Sequence, residues 1–94
     1  MKLYVDDTRL CPVGWALART YEEALELLSA GQVTHLDLDW NLGQGRDRTG
    51  LAILKWHETA VRTRQVPLPE ISVHTADAGA RRQMLELARQ IGKG

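Results

Sequence analysis

Short apolar runs that stop abruptly take turns along this chain with longer stretches of helical period. Residues 2–7, KLYVDD, form an apolar run that ends at two acids and predict a short interior strand, β1. Residues 8–14, TRLCPVG, carry Pro12 and Gly14 and read as loop. Residues 15–20, WALART, predict a second strand, β2. The helical signature is clearest in residues 20–31, TYEEALELLSAG, which predict α1. There Thr20 and Glu23 make a capping box, Tyr21, Ala24, Leu25 and Leu28 share one stripe, and Gly31 stops the helix. Residues 33–39, VTHLDLD, predict β3, followed by the Gly-rich loop NLGQGRDR. Thr49 can cap a helix over residues 50–64, α2, with Ile53, Leu54, Ala60 and Val61 as its stripe and Trp56 beside it. The prolines of VPLPE end that segment, and ISVHT, residues 71–75, predicts β4. Residues 78–92 predict α3, with Ala80, Met84, Leu87, Ala88 and Ile91 on one face and a frayed GKG tail.

Strands alternating with helices predict an α/β domain with a parallel sheet. A parallel sheet covered on both faces should have continuously apolar strands, and these strands alternate instead. Leu3 and Val5, Leu36 and Leu38, and Ile71 and Val73 mark one side. Lys2 and Tyr4, His35 and Asp37, and Ser72 and His74 mark the other. All three helices are therefore expected on one face. The other is expected to be partly covered by the loop around Leu10, Cys11, Pro12 and Val13, or by a second subunit.

Composition narrows the class without naming a function. The 94 residues allow one domain, residues 1–94, with a modest core. Lys plus Arg and Asp plus Glu are 12 each, so bulk electrostatic capture of nucleic acid or membrane is not indicated. Cys11 has no partner for an intramolecular disulfide. With no membrane-length apolar run and no signal-peptide stretch, a soluble cytoplasmic protein is expected.

The chemistry gathers at the strand ends. Ligands of open α/β sheets bind beyond the carboxyl ends of the strands, and there this chain places Asp6 and Asp7, Asp39, and Thr75. If β1 and β3 are parallel neighbours, three carboxylates converge, and like charges that close call for a cation. Oxygen ligands with room for water suit Mg²⁺, which also binds phosphate oxygens. The plainer alternative is that such aspartates only cap turns. For Asp39 to end on the same edge as Asp6, β2 should run parallel to β1, with residues 8–14 crossing the sheet without a helix. Seven residues reach roughly 23–25 Å, enough to pass a strand of about 17 Å.

These features resemble the receiver domain of two-component response regulators. YVDD resembles its acidic pair, and DWNLG its phosphoacceptor turn, where Asn41 would offer its backbone carbonyl to Mg²⁺. Thr49–Gly50 resembles the glycine that opens the next helix. Thr75–Ala76 resembles the hydroxyl that contacts the phosphoryl group. The chain departs from receivers in lacking the first helix, the fifth strand with its lysine, and the last helix. Lys93, in a Gly-flanked tail, is poorly placed to replace that lysine, and Gly43 stands where proline is usual. A closer resemblance is to the cyclic-phosphate processing receiver domain, through VDDTR, Pro12, Gly14–Trp15, LDWNLG, Thr49–Gly50, LKW at 54–56 and HTAD. Here Thr75 replaces that family's serine and Asp77 its asparagine. The resemblance implies a truncated, flavodoxin-like receiver fold with strand order 2-1-3-4, and processing of cyclic or terminal phosphates of nucleotides or RNA.

Several residues have two readings. Arg9 can grip phosphate oxygens bidentately, or simply pair with Asp7 at the surface. His74 can act as acid or base near neutral pH if the strand twists at its end, or be a polar residue of the open face. His35 is expected to be structural, His57 to sit at the core edge, and Trp15 and Trp56 to pack. Arg81 and Arg82 read as a solvated face that could also attract a nucleic-acid phosphate. Asp39 is either a nucleophile that becomes an aspartyl phosphate or a holder of Mg²⁺ only. Asp37, on the His35 and His74 side, is expected to be solvated, or paired across the open face or a dimer interface, rather than catalytic.

Two functions follow. One is an Mg²⁺-dependent domain acting on a phosphate-bearing small molecule or RNA end through Asp6, Asp7, Asp39, Arg9, His74 and Thr75. The other is a non-enzymatic receiver, phosphorylated on Asp39 and signalling to a protein partner. A Toprim-like reading of DLD lacks a suitable Gly-flanked glutamate. A homodimer is expected through the open face or the β4 edge, because exposed edges invite pairing.

Overall fold

The computed structural model of the chain describes residues 1–63 and 66–93. Its element order is β1 (Lys2–Val5), β2 (Ala16–Ala18), α1 (Tyr21–Ser29), β3 (His35–Leu38), α2 (Gly50–Thr63), β4 (Glu70–Val73) and α3 (Ala78–Lys93). The four strands form one parallel sheet in the order β2-β1-β3-β4. This is a truncated receiver-like α/β fold with three helices. Position 64, expected to end α2, lies outside the described residues. The expected fraying at the carboxyl end is corrected at Lys93, which still belongs to α3.

Caps decide where the helices begin. The Thr20 hydroxyl accepts the Glu23 N–H at 3.1 Å and donates to the Glu23 carboxylate at 3.2 Å, so the carboxylate meets the capping hydroxyl rather than a backbone N–H. At α2 the Thr49 hydroxyl accepts the Ala52 N–H at 3.1 Å, and at α3 the Asp77 carboxylate accepts that of Ala80 at 2.8 Å. Gly31, at φ 78°, ends α1 in the left-handed conformation that glycine adopts without strain.

The core lies on one side of the sheet. Leu3, Val5, Leu36, Leu38 and Val73 pack there against Ala24 and Leu28 of α1, Ile53 and Leu54 of α2, and Met84 and Ile91 of α3. Leu42, from the loop after β3, joins them at 3% exposure. His57 does too, which corrects its expected place at the core edge: it is fully buried and neither ring nitrogen has a hydrogen-bond partner among the described residues.

Among the described residues, no helix lies on the opposite face. The β1–β2 connection serves it through Trp15, whose ring meets Tyr4 and His35 edge-on, each at 6.4 Å, with the Lys2 ammonium 5.8 Å from its centroid. Leu10 and Val13, expected to cover this face, are instead exposed at 90% and 102%. The turn from Pro12 to Trp15, closed by a 3.2 Å backbone hydrogen bond, points the loop outward and drops only the indole onto the sheet. Among the described residues, no helix is long and apolar enough to cross a membrane.

Candidate functional site

Strand register builds the site. Val5 is paired with Leu38, so Asp6 and Asp39 leave the sheet side by side, and the Asp39 N–H donates to the Val5 carbonyl at 3.0 Å. Leu38 is paired with Val73, which brings in His74, whose N–H donates to the Leu38 carbonyl at 2.9 Å. One ligand atom from each of Asp6, Asp39 and His74 lies within 4.8 Å of the other two. The start of α2 supports this edge from the core side. The Gly50 N–H donates to the Trp40 carbonyl at 2.8 Å, and a Cβ on Gly50 would fall 2.0 Å from the Asp39 carbonyl oxygen. Only glycine allows that approach.

Asp6 is fully buried and fully engaged. Its Oδ1 accepts the Thr8 and Arg9 N–H groups, both at 2.9 Å, and its Oδ2 lies 2.9 Å from His74 Nε2. Burial pushes its pKa up, but the Arg9 and Thr8 N–H bonds and His74 outweigh that and hold it below the usual carboxylate value. Asp39 goes the other way. Burial raises its pKa and the negative charge of Asp6 adds to this, against one N–H from Trp40 to Oδ1 at 2.8 Å.

His74 stands between two carboxylates, with Nδ1 2.6 Å from Asp37 Oδ1 and Nε2 2.9 Å from Asp6 Oδ2. Ionised carboxylates only accept, so this pair of contacts favours the imidazolium, in which both ring nitrogens donate. Burial favours the neutral ring, but the hydrogen bonds and charges of Asp37 and Asp6 prevail and raise the pKa. Tyr4 lies flat against the imidazole, 4.4 Å between centroids and 5° between planes. Asp37 is therefore paired across the open face, and that pairing orients His74. Alternation contained the signal: Asp37 is paired with Ser72, one pleat below His74 on the same face.

The other expected site residues have different surroundings. Asp7 Oδ2 lies 3.1 Å from where a Cβ on Gly43 would sit, so this carboxylate leans on the turn after β3. In that turn Gly43, at φ 74°, donates its N–H to Asn41 Oδ1 at 2.9 Å. Arg9 Nε stands 3.8 Å from Asp6 Oδ2, with 58% of the side chain exposed. Its loop is pinned by a residue the sequence did not single out: Arg19 Nη1 donates to the Arg9 carbonyl at 2.8 Å and the Asp6 carbonyl at 3.3 Å. Thr75 Oγ1 accepts the Asp77 N–H at 3.3 Å, so Thr75 and Asp77 both serve the start of α3.

The donor set fits a small divalent cation. Asp6 and Asp39 offer oxygens at adjacent strand ends, and Asp39, whose pKa is raised first by burial and then by the Asp6 charge, is a carboxylate whose ionised form a cation would stabilise. The same edge carries an exposed guanidinium at its rim. Searches of curated proteins and of solved structures return no significant match. The cyclic-phosphate processing receiver domain, by contrast, matches residues 1–90 of the 94, and on that extent, with this sheet and this strand-end cluster, the chain belongs to the cyclic-phosphate processing receiver domain family.

Proposed function

We propose that this domain binds Mg²⁺ and a phosphate ester at the carboxyl edge of its sheet and hydrolyses cyclic or terminal phosphates of nucleotides or RNA. The observation that carries the proposal is the convergence of Asp6, Asp39 and His74 within 4.8 Å, with Asp37 behind His74. Asp6 and Asp39 would hold the cation, with Asp7 and the Asn41 carbonyl as further oxygens at the rim. When bound, Mg²⁺ draws charge from the phosphate oxygens and lowers the pKa of water. Arg9, whose Nε stands 3.8 Å from Asp6 and whose side chain is 58% exposed, can turn its planar fork toward phosphate oxygens by giving up that contact. Thr75, at the end of β4, retains a hydroxyl proton to donate to a phosphate oxygen.

His74 handles the proton. Opening a cyclic ester adds a water oxygen to phosphorus, breaks one P–O bond to the sugar and leaves a sugar oxygen that needs a proton. The imidazolium supplies that proton from Nε2, exchanging its bond to Asp6 for one to the sugar oxygen, and the proton released by the attacking water restores it. Asp37 keeps the ring in the plane where this exchange takes place, and stacked Tyr4 limits its rotation.

The test is turnover of a 2′,3′-cyclic nucleotide with Mg²⁺, for the protein and for Asp39→Asn. Mg²⁺-dependent turnover that falls at least about 100-fold in the variant is expected. A parallel incubation with acetyl phosphate decides against the signalling reading or for it. A stable acylphosphate on Asp39 without turnover of the cyclic ester would overturn the hydrolase assignment.

A further inference from the structure

β4 is the last strand of the sheet, and its outer edge has a defined pattern. The Glu70 N–H donates to the Thr34 carbonyl and the His74 N–H to that of Leu38, each at 2.9 Å. Alternate residues of a strand turn their N–H and C=O to opposite sides. Glu70, Ser72 and His74 therefore face β3, and the backbone groups of Ile71 and Val73 face outward. Among the described residues, one side chain reaches this edge: Arg81 Nη1, 3.4 Å from the Val73 carbonyl, a long contact that a better donor can displace.

Beside the edge lies a mainly apolar groove of about 260 Å³, lined by Leu68, Pro69, Ile71, Leu85, Ala88 and Gly92, with Arg89 as its one charged member. Leu68 and Leu85 are 44% and 40% exposed. Unpaired strand backbone next to exposed apolar side chains suits an extended strand.

We propose that two copies of this chain pair antiparallel along β4, joining their sheets into one. The register is self-complementary, with Ile71 of each copy opposite Val73 of the other, so that these outward groups bond mutually about a two-fold axis at Ser72. That axis is perpendicular to the sheet and puts both α3 helices on the same side. Leu85, Ala88 and Gly92, at i, i+3 and i+7 of α3, then meet their counterparts and close the groove. The open face is the poorer candidate. Trp15 already lies on it, Tyr4 is only 7% exposed, and its charged groups Asp37 and His74 are paired within the chain. None of this depends on the hydrolytic reading of the site.

Sedimentation of the 94-residue chain tests the pairing. A species of twice the 10.5 kDa monomer mass is expected, with its fraction rising with concentration. Ile71→Pro removes an outward N–H, which an edge strand tolerates, together with the packing of the Ile71 side chain, and Leu85→Arg puts a charge in the groove. Each should raise the dissociation constant at least about tenfold with the circular dichroism spectrum unchanged. If Ile71→Pro fails to fold, Leu85→Arg decides. A monomer up to about 1 mM overturns the proposal. So does a dimer that survives Leu85→Arg, or one that is dissociated instead by Val13→Glu in the exposed loop.

Discussion

Two histidines, both predicted to be incidental or conditional, set opposite pH responses of this protein. His57 is buried without partners, and burial holds its pKa below the ordinary 6.5. The unfolded chain takes up that proton more readily, so titration of His57 adds no cost above pH 6.5 and destabilises the fold progressively as pH falls below it. The pKa of His74 is raised above 6.5, so its contribution is complete below that value and is lost as pH rises through its folded pKa. Urea denaturation from acid to alkaline pH separates them. His57→Leu should raise stability by about 1–2 kcal/mol and flatten the acid-side loss, whereas His74→Gln should remove the alkaline-side loss. At the site, Asp37→Ala should lower turnover of a cyclic ester about 10–100-fold, with changed ¹⁵N shifts of the His74 ring as an activity-independent readout. A variant with unaltered ring shifts would show that Asp37 does not orient the imidazole. Parity alone placed Asp37 and His74 on one face. Whether the pleat brings them into contact depends on strand twist, which residue types do not encode.

At the scale of elements, local signals were read well because they are local. The cap of α1 at Thr20, the cap of α2 at Thr49 and the stop at Gly31 are short-range hydrogen-bond and φ/ψ effects visible in the chain itself. The loop after β3 was less legible. Its sequence shows a glycine-rich loop, yet it buries Leu42, and Gln44 Oε1 accepts the Tyr21 N–H at 2.8 Å at the start of α1. Both arise from distant chain segments that no spacing rule connects. Gly50 carries the sharpest element-level prediction. Its missing Cβ lets α2 begin against the Asp39 backbone, so Gly50→Ala should destabilise by at least about 2 kcal/mol in a urea melt and displace Asp39. Thr20→Ala, remote from the site, should cost about 1 kcal/mol and leave any cation affinity unchanged.

For the molecule as a whole, the bare helix-free face and the acidic edge belong together. Among the described residues no helix covers that face, and His74, Asp37 and Tyr4 form a polar and aromatic layer on it. Ligation of a cation by the native state alone should raise stability, by about 2.7 kcal/mol at a concentration 100-fold above its dissociation constant. A thermal melt with Mg²⁺, reversed by chelation and insensitive to Mg²⁺ in Asp39→Asn, is the expected result. An unchanged melting temperature at high Mg²⁺ would remove the cation from the proposed mechanism. The sequence by itself determined the elements, their caps, the one-sided apolar parity of the strands and the order of motifs that marks the family, because each rests on neighbours within a few residues. Only the tertiary structure decided which polar groups meet. The pairings of His74 with Asp37 and Asp6 span 37 and 68 residues, and they exist because parallel register sets three strand ends side by side.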